Sequence, residues 1–325
     1  MSPQAYFGVN IPVVKLNSGH SMPLIAAGTA IAPPFPTGQP KMAVLDAIES
    51  GYRYIDTAAM YATEEAVGAA IKEALKRKLI KNREELFVST KLWCNNAHPD
   101  RVLPAIKESL RKLGLEYVDL YLIHAPVTME PHVLDLVPKE GDEISIMDIK
   151  SVWAAMEELH KLGLAKSIGV SNFTCKKLTK LLAHAEIIPA VNQVEMHPAM
   201  QQMRLKEFCE EKGIHVSAYS PLGGKEWGFD VVLGNDIIKE IAQNKKRSVA
   251  QVALRWGYEQ GVSLITKSFN KRRLEENLDI FDWKLTNEEL QKIGLLSQTR
   301  IGTFCEFVFP GSPYKTVEEF WDDEM

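Results

Sequence analysis

Four side chains of catalytic type, Asp56, Tyr61, Lys91 and His124, would form a proton donor if the fold brought them together. A tyrosine titrates near 10, roughly three units too high to protonate an alkoxide efficiently at neutral pH, but an adjacent ammonium stabilises the phenolate and lowers that value. Lys91 is expected to be that ammonium, with Asp56 keeping it charged and oriented and His124 donating a hydrogen bond to a carbonyl oxygen. Tyr61 would then act as a general acid. No side chain supplies hydride, so a nicotinamide cofactor is expected. The first strand is followed by no G-x-G-x-x-G fingerprint. Instead Lys267 to Asn277 follows the last expected strand and runs into a helix. Backbone amides at that helix start, with Lys267 and Arg273, suit the extra phosphate of NADPH. Taken singly, Asp56 could be a helix cap, His124 a satisfied core histidine, Lys91 a solvated loop cation and Lys267 to Asn277 a basic surface turn.

The elements that must position these residues argue against coincidence. From Leu24 onward short apolar runs alternate with amphipathic stretches of about a dozen residues, as in a parallel sheet wrapped by helices. Strands are expected near Leu24–Thr29, Tyr54–Asp56, Leu86–Lys91, Val118–His124, Ala165–Ser171, Ala190–Glu195, His215–Ser220 and Ser263–Lys267. Glu64–Lys78, Arg101–Leu113, Ile149–Leu162 and Ser248–Glu259 carry helical periodicity. Eight βα units favour a closed (β/α)8 barrel over an open doubly wound sheet, with residues 1–325 as a single domain. Val13–Leu16 and Ser21–Pro23 flank Asn17-Ser18-Gly19-His20 and read as a hairpin closing the barrel floor.

In such a barrel the carboxyl ends of the strands face one mouth. Asp56 ends the second strand, Lys91 the third, His124 the fourth, Ser171 and Asn172 the fifth, Gln193 and Glu195 the sixth, Tyr219 the seventh, and Lys267 with Ser268 the eighth. Three segments break the alternation and are expected to be long loops: Ala125 to Asp148, Leu222 to Asn235, and the tail after Gln298. Their aromatics Trp227, Phe304, Phe307 and Phe309 have no place on a helical face and are candidate substrate walls.

The chain has 325 residues, 46% of them apolar and 25% charged, and its formal charge is -4. Neither nucleic acid nor an anionic membrane is therefore expected as a partner. Cys94, Cys175, Cys209 and Cys305 form no CxxC pair, so neither a metal site nor a disulfide framework is indicated. No leader of basic then apolar residues opens the chain and no apolar run reaches a membrane span of about 20 residues, so a cytoplasmic location is expected.

Together these motifs resemble the aldo-keto reductase superfamily from Leu16 to about Asp282. The likeness rests on the runs 51–58 with Tyr61, 90–93, 119–124, 168–173, 192–195, 219–223 and 267–277. It implies that Ser171, Asn172 and Gln193 hold the nicotinamide carboxamide and that Tyr219 stacks on the ring. Ser220 and Leu222 would lie along the cofactor, with Leu222 and Ser268 at the pyrophosphate and 2′-phosphate region. Lys267 and Arg273 would take the 2′-phosphate, and Glu276 and Asn277 the adenine. It further implies a monomer acting on a small-molecule ketone or aldehyde.

A narrower likeness, carried by the runs 92–94, 151–158, 281–283 and 319–322, is to plant reductases of specialised metabolism such as codeinone and polyketide reductases. Many aldose-reducing relatives have tryptophan where this chain has Ala30 and Ala125, which widens the expected pocket. Trp93, Trp227 and Phe304 would then line a cleft suited to a bulky ring ketone of alkaloid or polyketide type. Two other readings are a barrel that binds NADPH as a non-catalytic subunit, and a barrel hydrolase using the carboxylates of Asp56 and Glu195.

Overall fold

The computed structural model describes residues 11–30, 39–133, 138–225 and 228–324. The chain opens with β1 (Val13–Lys15), β2 (Ser21–Pro23) and β3 (Ile25–Gly28), then α1 (Gln39–Glu49), β4 (Tyr54–Asp56), α2 (Glu64–Lys76), β5 (Phe87–Leu92), α3 (Val102–Leu113) and β6 (Val118–Ile123). There follow β7 (Val127–Met129), β8 (Ile144–Ile146), α4 (Ile149–Lys161), β9 (Ala165–Ser171), α5 (Cys175–Leu182), β10 (Val191–Glu195) and α6 (Met203–Glu211). The remainder is β11 (His215–Tyr219), α7 (Asp236–Lys245), α8 (Val249–Glu259), β12 (Ser263–Thr266), α9 (Lys271–Leu278), α10 (Asn287–Gly294) and α11 (Val317–Phe320).

Eight strands close into a parallel barrel in the order β10-β11-β12-β3-β4-β5-β6-β9. Each expected strand agrees with an observed one to within one residue at either end. Their two buried faces explain the near-continuous apolar runs. Along β5 and β6, Phe87, Leu120 and Leu122 point into the barrel, while Val88, Tyr121 and Ile123 pack under the helices. The interior is filled by these residues with Ala26, Tyr54, Val191 and Ile265, and Leu16 and Met22 of the β1–β2 hairpin plug it from the floor. Asn17 fastens the hairpin tip by donating to the carbonyls of Pro189 and Gly213. Burying each Leu, Ile, Val, Phe or Met side chain among them contributes roughly 1.5–3 kcal/mol. Gly169 on β9 lies where a Cβ would stand 2.5 Å from the carbonyl oxygen of Val191, so only glycine lets β9 and β10 approach this closely.

Three expectations change. The α2 helix stops at Lys76 instead of Lys78, because Lys78 takes a left-handed φ of 59° that ends helical bonding. The segment after β6 is more than a loop: β7 and β8 pair antiparallel, Val127 against Ile146, and fold Val127 and Met129 inward. The tail likewise supplies α11 and a stacked aromatic cluster, described below. Among the described residues no helix is long and apolar enough to cross a membrane.

Candidate active site

At the carboxyl end of β4 the Asp56 carboxylate is fully engaged. Its Oδ1 accepts from Lys91 Nζ at 2.6 Å, and its Oδ2 accepts from Ser89 Oγ at 2.7 Å and Gln193 Nε2 at 3.0 Å. Lys91, on β5, is completely buried and also donates to the Thr57 carbonyl at 3.0 Å. Beyond β4 a single 3-10 turn, Ala59–Tyr61, is closed by Ala62 in a left-handed conformation. That turn lowers the Tyr61 phenol over the same spot, with Oη 3.5 Å from Lys91 Nζ and 3.5 Å from His124 Nε2. The His124 ring meets Tyr61 and Trp93 edge-on, at centroid distances of 5.4 and 5.0 Å. The four residues therefore converge as expected.

Their electrostatics differ from expectation in one respect. Burial alone would strip the proton from Lys91, but Asp56 and then Tyr61 overcome it and raise its pKa, so it is an ammonium. For Tyr61 burial is the largest influence and outweighs the pull of Lys91, so the phenol titrates above its ordinary value rather than below it. The ammonium limits that rise without reversing it. Burial, followed by repulsion from Lys91, holds His124 well below its usual range, and the imidazole is neutral at pH 7. A protonated phenol and a neutral imidazole thus face one point in space. A carbonyl oxygen there could receive two hydrogen bonds, the imidazole donating in its Nε2–H tautomer.

Beside this group the ends of β9, β10 and β11 form one polar network. Asn172, held at a φ of 62°, donates through Nδ2 to the His124 carbonyl at 2.8 Å and accepts from Tyr219 Oη at 2.9 Å. Ser171 Oγ donates to the Gln193 carbonyl at 2.7 Å. Ser220 is also left-handed, and Leu222 and Gly223 follow where the chain leaves β11. On the adjoining β12 edge, Lys267 and Ser268 are half-buried and Arg273 is exposed in the first turn of α9. The Asn270 side chain already accepts the Arg273 N–H at this helix start, so the backbone amides expected to be open there are open only in part. Glu276 is half-buried and Asn277 is buried further along the same helix. Two cations beside a helix start, continuous with the Ser171–Tyr219 network, are a donor set that fits a phosphorylated dinucleotide.

Of the expected wall, Ala30 is half-buried after β3, whereas Ala125 is enclosed in a satellite core with Trp93, Val127, Phe307, Tyr314, Phe320 and Trp321. Phe304 is half-buried against that core, stacked on Phe307 and Phe320 at 5.9 and 5.4 Å. Phe307 is fully buried within it and so supports the wall from behind. Trp227 lies outside the described residues.

The two-carboxylate hydrolase reading fails on geometry. Asp56 is consumed by three donors, and Glu195 accepts from the backbone N–H groups of Ile301 and Gly302 at 2.8 and 2.6 Å and lies 3.0 Å from His197 Nε2. Glu195 is instead the bolt that fixes the tail to the barrel mouth. A side chain at Gly302 would place its Cβ 3.0 Å from both that carboxylate and the Tyr219 hydroxyl. Ser89 is a member of the site that sequence reasoning missed. It stands two residues before Lys91 on β5, and strand alternation alone places both on one face.

A family model described as the aldo/keto reductase family matches residues 27–297. The chain is 56% identical to a 7-acetyl-epi-neemfruitin B aldo-keto reductase of Melia azedarach over 98% of this chain and 99% of that one. It is 50% identical to an NADPH-dependent codeinone reductase of Papaver somniferum, over 97% and 98% of the two chains. Among solved structures, a Bombyx mori aldo-keto reductase in complex with NADP superposes with a TM-score of 0.80 at 39% identity, covering 89% of this chain and 94% of that one. With its closed barrel and the convergence of Asp56, Tyr61, Lys91 and His124, this chain belongs to the aldo/keto reductase family, oxidoreductases that act on carbonyl groups.

Proposed function

We propose that this protein reduces a bulky ring ketone to an alcohol with NADPH, using Tyr61 as the general acid. The observation that carries the reading is the meeting of Tyr61 Oη, Lys91 Nζ and His124 Nε2 at one point, with Asp56 fixing the ammonium. NADPH, when bound, supplies the hydride. Lys267 and Arg273 would bind its 2′-phosphate, Ser268 and Leu222 its phosphates, and Glu276 with Asn277 its adenine. Ser171, Asn172 and Gln193 would hold its carboxamide, with Tyr219 beside them for the ring. Gln193 serves two partners, since its Nε2 also steadies Asp56.

The substrate oxygen sits between Tyr61 and His124. As it gains charge, Tyr61 Oη transfers its proton and the phenolate left behind is stabilised by Lys91, while His124 Nε2–H keeps the oxygen in place. Water restores the Tyr61 proton. The small, half-buried Ala30, with Trp93 and Phe304 as apolar walls, favours a fused-ring ketone over a sugar, and the relatives named for a neemfruitin and for codeinone support the same class; Ala125, enclosed in the satellite core, adds nothing to that width.

The test is NADPH oxidation by wild type and Tyr61→Phe across small aldehydes, sugars and bulky cyclic ketones. Loss of about 10²–10⁴-fold in turnover with NADPH binding intact supports the mechanism, as expected for losing a positioned acid. Full activity in the Phe variant refutes it, and better kcat/KM on sugars than on ring ketones refutes the substrate class.

A further inference from the structure

The last residues of the chain do more than end it. Glu324 accepts the backbone N–H groups of Cys175 and Lys176 at 2.8 and 3.2 Å, two first-turn donors that α5 cannot satisfy for itself. Asp322 Oδ2 accepts from Thr174 Oγ1 at 2.7 Å and from the buried Lys177 Nζ at 2.5 Å, and Lys176 Nζ lies 3.1 Å from Oδ1. Two carboxylates from the C-terminus therefore complete the N-terminal cap of α5, where the helix dipole favours negative charge. Thr174, the residue that begins this helix, lies two residues after Asn172.

The same hook reaches the substrate wall. Lys177 Nζ donates to the Phe320 carbonyl at 2.6 Å, and the Phe320 ring, fully buried, stacks on Phe304. Arg300 closes the segment on itself by donating to the Glu324 carbonyl at 3.0 Å and lying 3.8 Å over the Trp321 ring. Trp321 Nε1 in turn donates to the Thr303 carbonyl at 2.9 Å.

We propose that Asp322 and Glu324 are positioning residues that lock the substrate wall and the cofactor-gripping loop after β9 into one unit. The proposal rests on the reading of Asn172 as a carboxamide ligand and Phe304 as a wall. Releasing the hook loosens both at once; neither carboxylate hydrogen-bonds to Tyr61, Lys91 or His124, and the link to that group runs through Asn172, which donates to the His124 carbonyl.

The test is the full-length double variant Asp322→Asn/Glu324→Gln. NADPH affinity is measured by fluorescence titration, and KM is measured with a steroid ketone, androstanedione, and with propionaldehyde. The ketone KM is expected to rise about tenfold and the NADPH Kd about threefold, with the propionaldehyde KM within about twofold at saturating NADPH. Glu324→Asp, which keeps a carboxylate at the helix start, should stay near wild type. A merely structural role would reduce the active fraction and leave each KM alone, so unchanged constants overturn the proposal. Equal shifts for ketone and aldehyde do the same. If wild type does not reduce androstanedione, the substrate class is wrong, and the NADPH titration alone then decides for or against the hook. Glu324→Gln, which leaves the Lys177–Asp322 pair in place, carries the same titration if the double variant does not fold.

Discussion

The Asp56–Lys91 pair is completely enclosed, and a double-mutant cycle separates what it does for stability from what it does for chemistry. At 2.6 Å the two charges attract by about 6 kcal/mol if the effective dielectric is near 20. Lys91→Met forfeits that attraction, offset by the several kcal/mol of desolvation that an absent ammonium no longer incurs, and losses of about 3–5 kcal/mol are usual for orphaning a buried charge. Ser89 and Gln193 still donate to the carboxylate, which places the loss near 3 kcal/mol. Asp56→Asn leaves Lys91 with the Thr57 carbonyl and an amide oxygen, for a similar loss. The double variant Asp56→Asn/Lys91→Met contains no unpaired charge and is expected to lose about 3 kcal/mol in total, instead of the roughly 6 that simple addition requires. Denaturant midpoints and slopes of the four proteins give the coupling. Additivity to within about 0.5 kcal/mol would refute the view that each charge exists to neutralise the other. On the proposed role of Tyr61 as general acid, turnover should not recover in the double variant, because the phenol still lacks its neighbouring ammonium.

Two further outcomes follow from titration. Burial holds Tyr61 above 10.0, and Asp56, overcoming burial, holds Lys91 above 10.5, so reductive kcat/KM should stay level through neutral pH and fall only as the phenol loses its proton in strong alkali. His124 titrates well below 6.5, so a limb near that pH that disappears in His124→Gln would contradict the neutral imidazole. His215 accepts the Ser263 N–H through Nε2, and burial pulls its pKa from 6.5 to about 4. The unfolded chain takes up this proton first, so the stabilisation is full above pH 6.5 and is lost as pH falls toward 4. The difference of 2.5 units amounts to about 3 kcal/mol. His215→Gln should be correspondingly less sensitive to acid in denaturant titrations between pH 7 and 4, and equal acid sensitivity would discount this histidine.

The barrel was legible because parallel strands buried on both faces leave short apolar runs, and because a polar side chain at the end of each run can only face the mouth. Asp56, Lys91, His124, Gln193 and Tyr219 were recoverable on that ground alone. What escaped reading depends on pairings across long stretches of chain. Nothing in the sequence marks Glu195 as the partner of Ile301 and Gly302, or Asp322 and Glu324 as partners of the start of α5. The β7–β8 hairpin was missed because three-residue strands are too short for their period to show. The direction of the Tyr61 shift was misjudged because a sequence reveals charge neighbours but not the depth of burial that competes with them.

The satellite core formed by the tail has an evolutionary consequence. Phe304, Phe307, Phe320 and Trp321 pack on one another, on Tyr314, on Val127 and Met129 of β7, and on Trp93, while Asp56 and Lys91 stand on barrel strands and Tyr61 on the turn after β4. Substitutions in the tail and in the segment after β6 can therefore redraw the shape of this core while Asp56, Tyr61 and Lys91 stay where the barrel puts them. A duplicated gene can drift toward a new substrate through the aromatic residues of the tail, provided that Asp322 and Glu324, which tie the tail to α5, are kept.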